Sequence, residues 1–296
     1  MSGATLPVVL RAQPGGRTYA VRYFFRKNPR MLVGLALLIV LLFVWALGPV
    51  IAPYDPKMVV VPDSLLPPSA DHLLGTDDLG RDVFSRVLWG ARISLSVGLI
   101  SVSIGFLVGV SVGLLAGYLG GTFDLLAMRV IDALLAFPAL VLAIAITASL
   151  GPQIQNAMIA IGIVAIPGYA RLTRGQVLSI RAREYIVAAR TVGVPPLRIV
   201  LRHIFPNIVN ALVVQATLAT AFAILAEAAL SFLGLGTQPP DPSWGQDISY
   251  SQRYLANMKW WMSAGPGIAI FIAVFTFNFL GDALRDALDP RLRRSG

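Results

Sequence analysis

The 296-residue chain has no cysteine, three lysines and two histidines, His72 and His203. Without thiols it can form no disulfide, iron–sulfur cluster or thiolate metal site, and two histidines leave little material for a metal centre of any kind. Lys27, Lys57 and Lys259 follow Arg, Pro and Met, so no G-x-x-x-x-G-K-[ST] loop exists to cradle a nucleotide phosphate. There is also no H-E-x-x-H, no Ser/His/Asp set and no carboxylate pair inside an apolar run. Charge is scarce too, at 13% of residues, where a soluble domain carries about a quarter. The expectation is a chain that performs no catalysis and binds no cofactor of its own.

Apolar residues make up 56% of the chain and the mean hydropathy is +0.73. Segments of about 20 apolar residues can cross a bilayer. Six are readable: Met31–Ile51, Ile93–Leu119, Leu125–Leu150, Ile154–Ala170, Ile208–Leu235 and Met262–Gly281. The first is too long for a signal peptide and lacks an A-x-A site, so it reads as an uncleaved helix. The fold class is therefore all-α, a polytopic bundle of six spans. Residues 1–30 carry Arg11, Arg17, Arg22, Arg26, Lys27 and Arg30 with no acid. Residues 171–206 hold seven arginines against Glu184, and the tail 284–296 holds Arg285, Arg291, Arg293 and Arg294. Six crossings put these three segments on one side, which positive residues mark as cytoplasmic. The acid-rich loops 52–91 and 236–261 then lie outside, and 92–283 forms the core of the bundle.

Ser101, Gly105, Gly109, Gly113 and Gly117 recur every fourth residue, a small-residue stripe on which another helix can approach at backbone distance. Pro138 and Pro167 are expected to kink spans three and four. Glu227 is the one carboxylate deep in an apolar run. An intramembrane acid is a functional candidate by default. Its place about 28 Å along span five, close to the outer interface, fits a structural partner such as an outer-loop arginine as well as a gate.

The run "REYIVAARTVGVPPLRIVLRHIFPN" (183–207) is too charged for hydrocarbon and too amphipathic for a passive linker. The pattern predicts a helix over Thr173–Val192, with Tyr185, Ala188, Ala189 and Val192 on one face. Gly193 ends it, and Pro195–Pro196 opens a second helix. That helix carries Leu197, Val200, Leu201 and Ile204 on one side, Arg198 and Arg202 on another, and stops at Pro206. Periodicity leaves two readings open: a basic helix on lipid headgroups, or a knob docking into a partner.

"AARTVG" (188–193) with Pro206 thirteen residues beyond Gly193 resembles the EAA loop of permease subunits of binding-protein-dependent ABC importers. The family's Glu is replaced by Val187, and the aliphatic pair near the loop's end reads His203 and Phe205. "RHIFPN" is similar to the peptide and nickel branch. "HLLGTDDLGRDVFSRVLWGARISL" (72–95), "LSFLGLGTQPPDPSWG" (230–245) and "GDALRDALDPRLR" (281–293) resemble the C-type subunit of dipeptide/oligopeptide permeases, in the expected order. The resemblance implies a type I importer permease fold and a coupling helix at 195–205. Ala188, Ala189, Gly193, Leu197, Arg198, Leu201, Arg202, His203 and Pro206 would form the ATPase-coupling surface. It further implies a heterodimer with a homologous permease, two ATPase subunits that bind ATP and magnesium, and an extracytoplasmic binding protein. Substrates across the family include dipeptides, longer peptides, glutathione, nickel complexes and some sugars.

Each stretch also has a local reading. Thr76 can cap a helix whose first turn holds Asp77 and Asp78, with Leu79, Val83 and Val87 on one face and Trp89 at the interface. This is a surface helix leading into span two or a contact for the binding protein. Pro290 stops the last helix. The rival class, a self-sufficient secondary transporter, calls for inverted repeats and midplane charges, and neither is visible.

Overall fold

In the computed structural model, which describes residues 29–288, every regular element is helical. In chain order these are α1 (Pro29–Ile51), α2 (Val83–Leu119), α3 (Gly121–Leu135), α4 (Ala139–Leu150), α5 (Ile154–Arg181), α6 (Glu184–Thr191), α7 (Pro196–Ile199), α8 (Phe205–Phe232), α9 (Trp244–Ser251) and α10 (Trp261–Leu288). A π turn, Val200–Ile204, joins α7 to α8 into one rod, Pro196–Phe232. Among the described residues five helices or rods are long and apolar enough to cross a membrane, and the bent pair α3–α4 brings the number to six where it counts as one span. The arginines of residues 1–28, the end of the tail and Pro290 lie outside the described residues.

The glycine stripe decides the centre of the bundle. A Cβ on Gly105 would meet Ala165 Cβ at 2.6 Å, one on Gly113 would meet Thr173 Cβ at 2.6 Å, and one on Gly117 would meet Val177 Cβ at 2.8 Å. The contacts advance together along both chains, so α2 and α5 run parallel at a separation only glycine permits. α8 returns antiparallel to α2, with Gly98 against Ile224. α10 runs antiparallel to α8, with Gly281 on Thr217 and Leu218, and α1 closes on α10 through Gly34 and Leu280. Val33, Ile39, Val40, Leu42 and Phe43 of α1 remain exposed, as a lipid-facing helix requires.

Several expectations change. The helix that carries span two begins at Val83, ten residues ahead of Ile93, and its cap is Asp82, whose carboxylate accepts from Ser85 N at 2.7 Å. Thr76 is no cap. Asp77 Oδ1 accepts from Leu79 N and Arg81 N, and Gly80 has φ +71°, so 76–82 closes on itself as a turn. Leu79 is exposed while Val83 is buried, so they share no face. At Pro138, span three breaks: α3 and α4 meet at 91°. A proline has no N–H and pushes its predecessor out of helical geometry, so the helix ends rather than bends. Pro167 sits inside an unbroken α5. The helix that carries span four runs on to Arg181, beyond the span's expected end at Ala170, and the charges in this extension are paired. Arg174 makes two hydrogen bonds to Asp124, at 2.5 and 2.7 Å, and Arg171 Nη2 reaches Asp132 at 2.5 Å, both on α3.

At the other, loop-rich end, residues 52–82 fold over α9 and the start of α2. Arg86 is buried; its Nε donates to Asp247 Oδ1 at 2.9 Å and its Nη1 to Pro56 O at 2.9 Å. Trp244, also buried, donates from Nε1 to Val87 O at 2.9 Å. Burial pushes the Asp247 carboxyl above the ordinary carboxylate range, and the Arg86 and Arg81 guanidiniums pull it back.

Candidate functional site

The arginine-rich loop is built in two pieces, not as the single Thr173–Val192 helix its periodicity suggests. The last turns of α5 hold Thr173–Arg181, and the chain breaks at Ala182–Arg183. Arg181 turns back instead of outward: its Nη1 donates to Tyr118 O at 2.8 Å, satisfying the last carbonyls of α2. α6 then buries Ile186 against the bundle, and Arg190 lies 5.0 Å from the centroid of the Tyr118 ring. The loop is thus referenced to the ends of both α2 and α5.

α6 closes with a Schellman motif. Val194 N donates to Ala189 O at 3.0 Å and Gly193 N to Arg190 O at 2.9 Å, with Gly193 at φ +81°. Nothing lies within 4 Å of where a Gly193 Cβ would stand, so backbone conformation alone selects glycine there. Pro195 is the N-cap of α7 and Pro196 its first residue, where a missing N–H costs nothing.

Pro206 does not stop this helix. In an α-helix its ring would strike the carbonyl four residues back. Here the preceding turn widens, so that Phe205 N donates to Val200 O. Asn207 Nδ2 takes up the His203 carbonyl at 2.7 Å. The rod therefore passes without a stop from the loop into span five, whose α-helix begins at Phe205, three residues ahead of Ile208.

The faces also differ from the expected ones. Ile199 and Ile204 are buried, whereas Leu197 and Leu201 are exposed beside the exposed Arg198 and Arg202. Of the first-helix face, Ala189 points inward and is half-buried; Tyr185, Ala188 and Val192 are exposed. Ala188 lines an open groove of about 440 Å³ with Ala182, Glu184, Val187, Thr191 and Val192. His203 is half-buried and Pro206 exposed. This end of the molecule thus exposes four large apolar side chains, Val187, Val192, Leu197 and Leu201, together with Arg198 and Arg202.

Glu227 is elsewhere, near the loop-rich end and wholly buried. Ser94 Oγ donates to its Oε2 at 2.8 Å and Ser231 Oγ to its Oε1 at 2.7 Å. Its partners are serines, not the arginine that the sequence suggested, and Thr237 N donates to the same Ser231 Oγ at 3.1 Å. The carboxylate therefore ties α2, α8 and the loop after α8. Sequence reasoning missed Arg92, one residue ahead of the expected span, which faces a second cavity. A cation at the very edge of an apolar run was the signal available. No group of three or more potential metal ligands occurs among the described residues.

Both the sequence and the fold are similar to those of known proteins. Residues 109–294 match the family described as binding-protein-dependent transport system inner membrane component, and residues 19–68 match the N-terminal transmembrane domain of oligopeptide transport permease C. The dipeptide transport system permease protein of Alkalihalophilus pseudofirmus is 44% identical over 268 residues, covering 90% of this chain and 88% of that protein. The di/tripeptide transport system permease protein of Pseudomonas aeruginosa is 44% identical over 277 residues, covering 92% and 91%. A chain of the inward-facing MetNI methionine ABC transporter shares the fold, with a TM-score of 0.56 at 22% identity over 69% of this chain and 96% of that one. The chain belongs to the family of inner-membrane components of binding-protein-dependent transport systems, as a multi-pass permease of the oligopeptide permease C type.

Proposed function

We propose that this chain is one half of the translocation pathway of an ATP-driven importer of small peptides. It pairs with a homologous permease, takes its energy from two ATPase subunits that hold ATP and magnesium, and receives its substrate from an extracytoplasmic binding protein. Both termini and residues 171–206 face the cytoplasm. The peptide substrate is supported by the names of the relatives at 44% identity.

The observation that carries the proposal is the placement of Leu197 and Leu201. Two exposed leucines and two arginines stand on the end of a rod that continues into a spanning helix. An ATPase cleft that closes on α7 and the π turn moves α8 with them, and α8 draws on α2 and α10 through the Gly98 and Gly281 contacts. Ala188, Gly193 and the arginines shape the contact. Ala189, His203 and Pro206 hold its backbone.

Gly193→Val and Leu201→Asp test this in the assembled complex. Burying a leucine contributes about 1.5–3 kcal/mol, so losing it loosens the complex by about tenfold or more. Gly193→Val forces a branched residue to φ +81° at about 1–2 kcal/mol without any clash, which re-aims α7. Both variants are expected to reach the membrane, lose ATPases on purification and stop peptide uptake. Retention of ATPases and uptake in both variants would make this stretch a lipid-surface helix and refute the coupling role.

A further inference from the structure

The second cavity lies at the loop-rich end, with a volume of about 430 Å³. Three separate elements wall it: Arg92 and Ser96 one turn apart on α2, Gln153, Gln155 and Met158 at the start of α5, and the segment Thr237–Asp241 beyond α8. This is a concavity of the size that small solutes occupy, not an open helix face. Its charges are unbalanced. Asp241, the acid in the lining, is already paired with Lys57 at 2.5 Å. The Arg92 guanidinium has no ion-pair or hydrogen-bond partner among the described residues. The cavity is therefore cationic, and Gln153 and Gln155 line it together with Arg92.

A guanidinium matches a carboxylate in geometry and charge, because its planar fork can donate two parallel hydrogen bonds. Neighbouring amides both donate and accept, which suits the amide bond next to a peptide's terminus. A lipid phosphate shares the anionic chemistry. However, a headgroup favours a single open helix surface, whereas the exposed Arg92 lines a concavity walled by three separate elements.

We propose that this cavity receives the free C-terminal carboxylate of a small peptide, with Arg92 as its anion-binding residue. This rests on the reading of the chain as a peptide permease and adds where the solute is recognised within it. The site would let this subunit favour peptides with a free carboxylate at the mouth of the pathway, in addition to any selection by the binding protein.

The absence of cysteine makes the test direct, because Gln155→Cys places the chain's one thiol in the cavity. The assembled transporter carrying it is labelled with an anionic and a cationic methanethiosulfonate. The ratio of their rates is compared with that in the Gln155→Cys/Arg92→Gln background. Arg92 is expected to raise the anionic preference by about tenfold. Alanyl-alanine should slow labelling, its C-terminal amide should not, and Arg92→Lys should keep part of the effect. A rate ratio that ignores Arg92, or equal protection by the dipeptide and its amide, would overturn the proposal. Protection by phosphatidylglycerol vesicles but not by the dipeptide would make the site a lipid one and overturn it equally. Uptake of alanyl-alanine by the unsubstituted transporter is measured alongside. Uptake without protection refutes this inference alone, and no uptake of any peptide refutes the functional reading beneath it.

Discussion

Gly109→Ala and Gly175→Ala are the same substitution in two helices, and the structure gives them opposite signs. In an exposed helix, alanine stabilises over glycine by about 0.5–1 kcal/mol because less backbone entropy is lost. Gly175 on α5 is exposed, and nothing lies within 4 Å of its would-be Cβ, so it should follow this rule. Gly109 should not. A Cβ there falls 2.6 Å from Ile166 O and 2.6 Å from Tyr169 Cβ, well inside the 3.4 Å at which ordinary contact begins. Neither neighbour is the tip of a flexible side chain, so α2 and α5 must part locally by several tenths of an ångström. Overpacking of this kind costs about 1–3 kcal/mol, which exceeds the propensity gain. The strain would spread along the interface, because Gly105 and Gly113 rest on the same partner helix. The assay is the melting temperature of the purified chain in mild detergent, followed by the loss of its monodisperse elution peak. Gly175→Ala should raise or preserve it and Gly109→Ala should lower it. Equal melting temperatures for the two variants would refute the close-packing argument.

Two further outcomes follow from buried polar groups. Asp247→Asn leaves the buried Arg86 with Asp77 4.0 Å away and should cost about 3 kcal/mol, whereas Arg86→Met/Asp247→Leu removes both charges and should cost less. Limited proteolysis of residues 52–82 measures both, and a double variant as labile as the single one would contradict the assignment. Glu227→Gln keeps the size and one acceptor, and its amide N–H can donate to a serine hydroxyl that turns to accept, so it should cost about 1 kcal/mol, while Glu227→Leu strands two buried hydroxyls at about 1–3 kcal/mol each. Melting of the purified variants ranks them, and equal loss for Gln and Leu would show that the carboxylate itself, rather than its hydrogen bonds, is what holds the three segments.

The spanning helices and their order were legible because hydrocarbon imposes one simple rule on chain composition. Their ends were less so, since helices outrun the apolar stretch wherever charges find partners, as Arg171 and Arg174 do on α3. Pro138 and Pro167 look alike in sequence, yet one breaks a span and the other sits in an intact helix; the neighbours that decide this are not adjacent in the chain. The turn at 76–82 escaped notice because Thr76 followed by two acids imitates a helix start, while Asp77 spends its oxygens on nearby amides. On the arginine-rich loop, Gly193 and the two prolines announced the corner correctly. The faces beyond it were misjudged because a period of 3.6 was carried through residues that do not keep it.

That departure has a consequence for how the loop is aimed. Buried positions run Ile199, Ile204, Ile208 and Leu212, a step of five and then two steps of four. The wide turn absorbs one surplus residue, so the helix before it and the helix after it stay in phase. Losing one residue from 200–204 would leave α7 pointing as it does now. Winding the same five residues as ordinary α-helix would instead turn α7 by about 100° and advance it about 1.5 Å, with the rod still unbroken. Pro206 sets the rod against that second state, so a proline on the span, not a side chain on the contact surface, holds the angle at which Leu197 and Leu201 are presented.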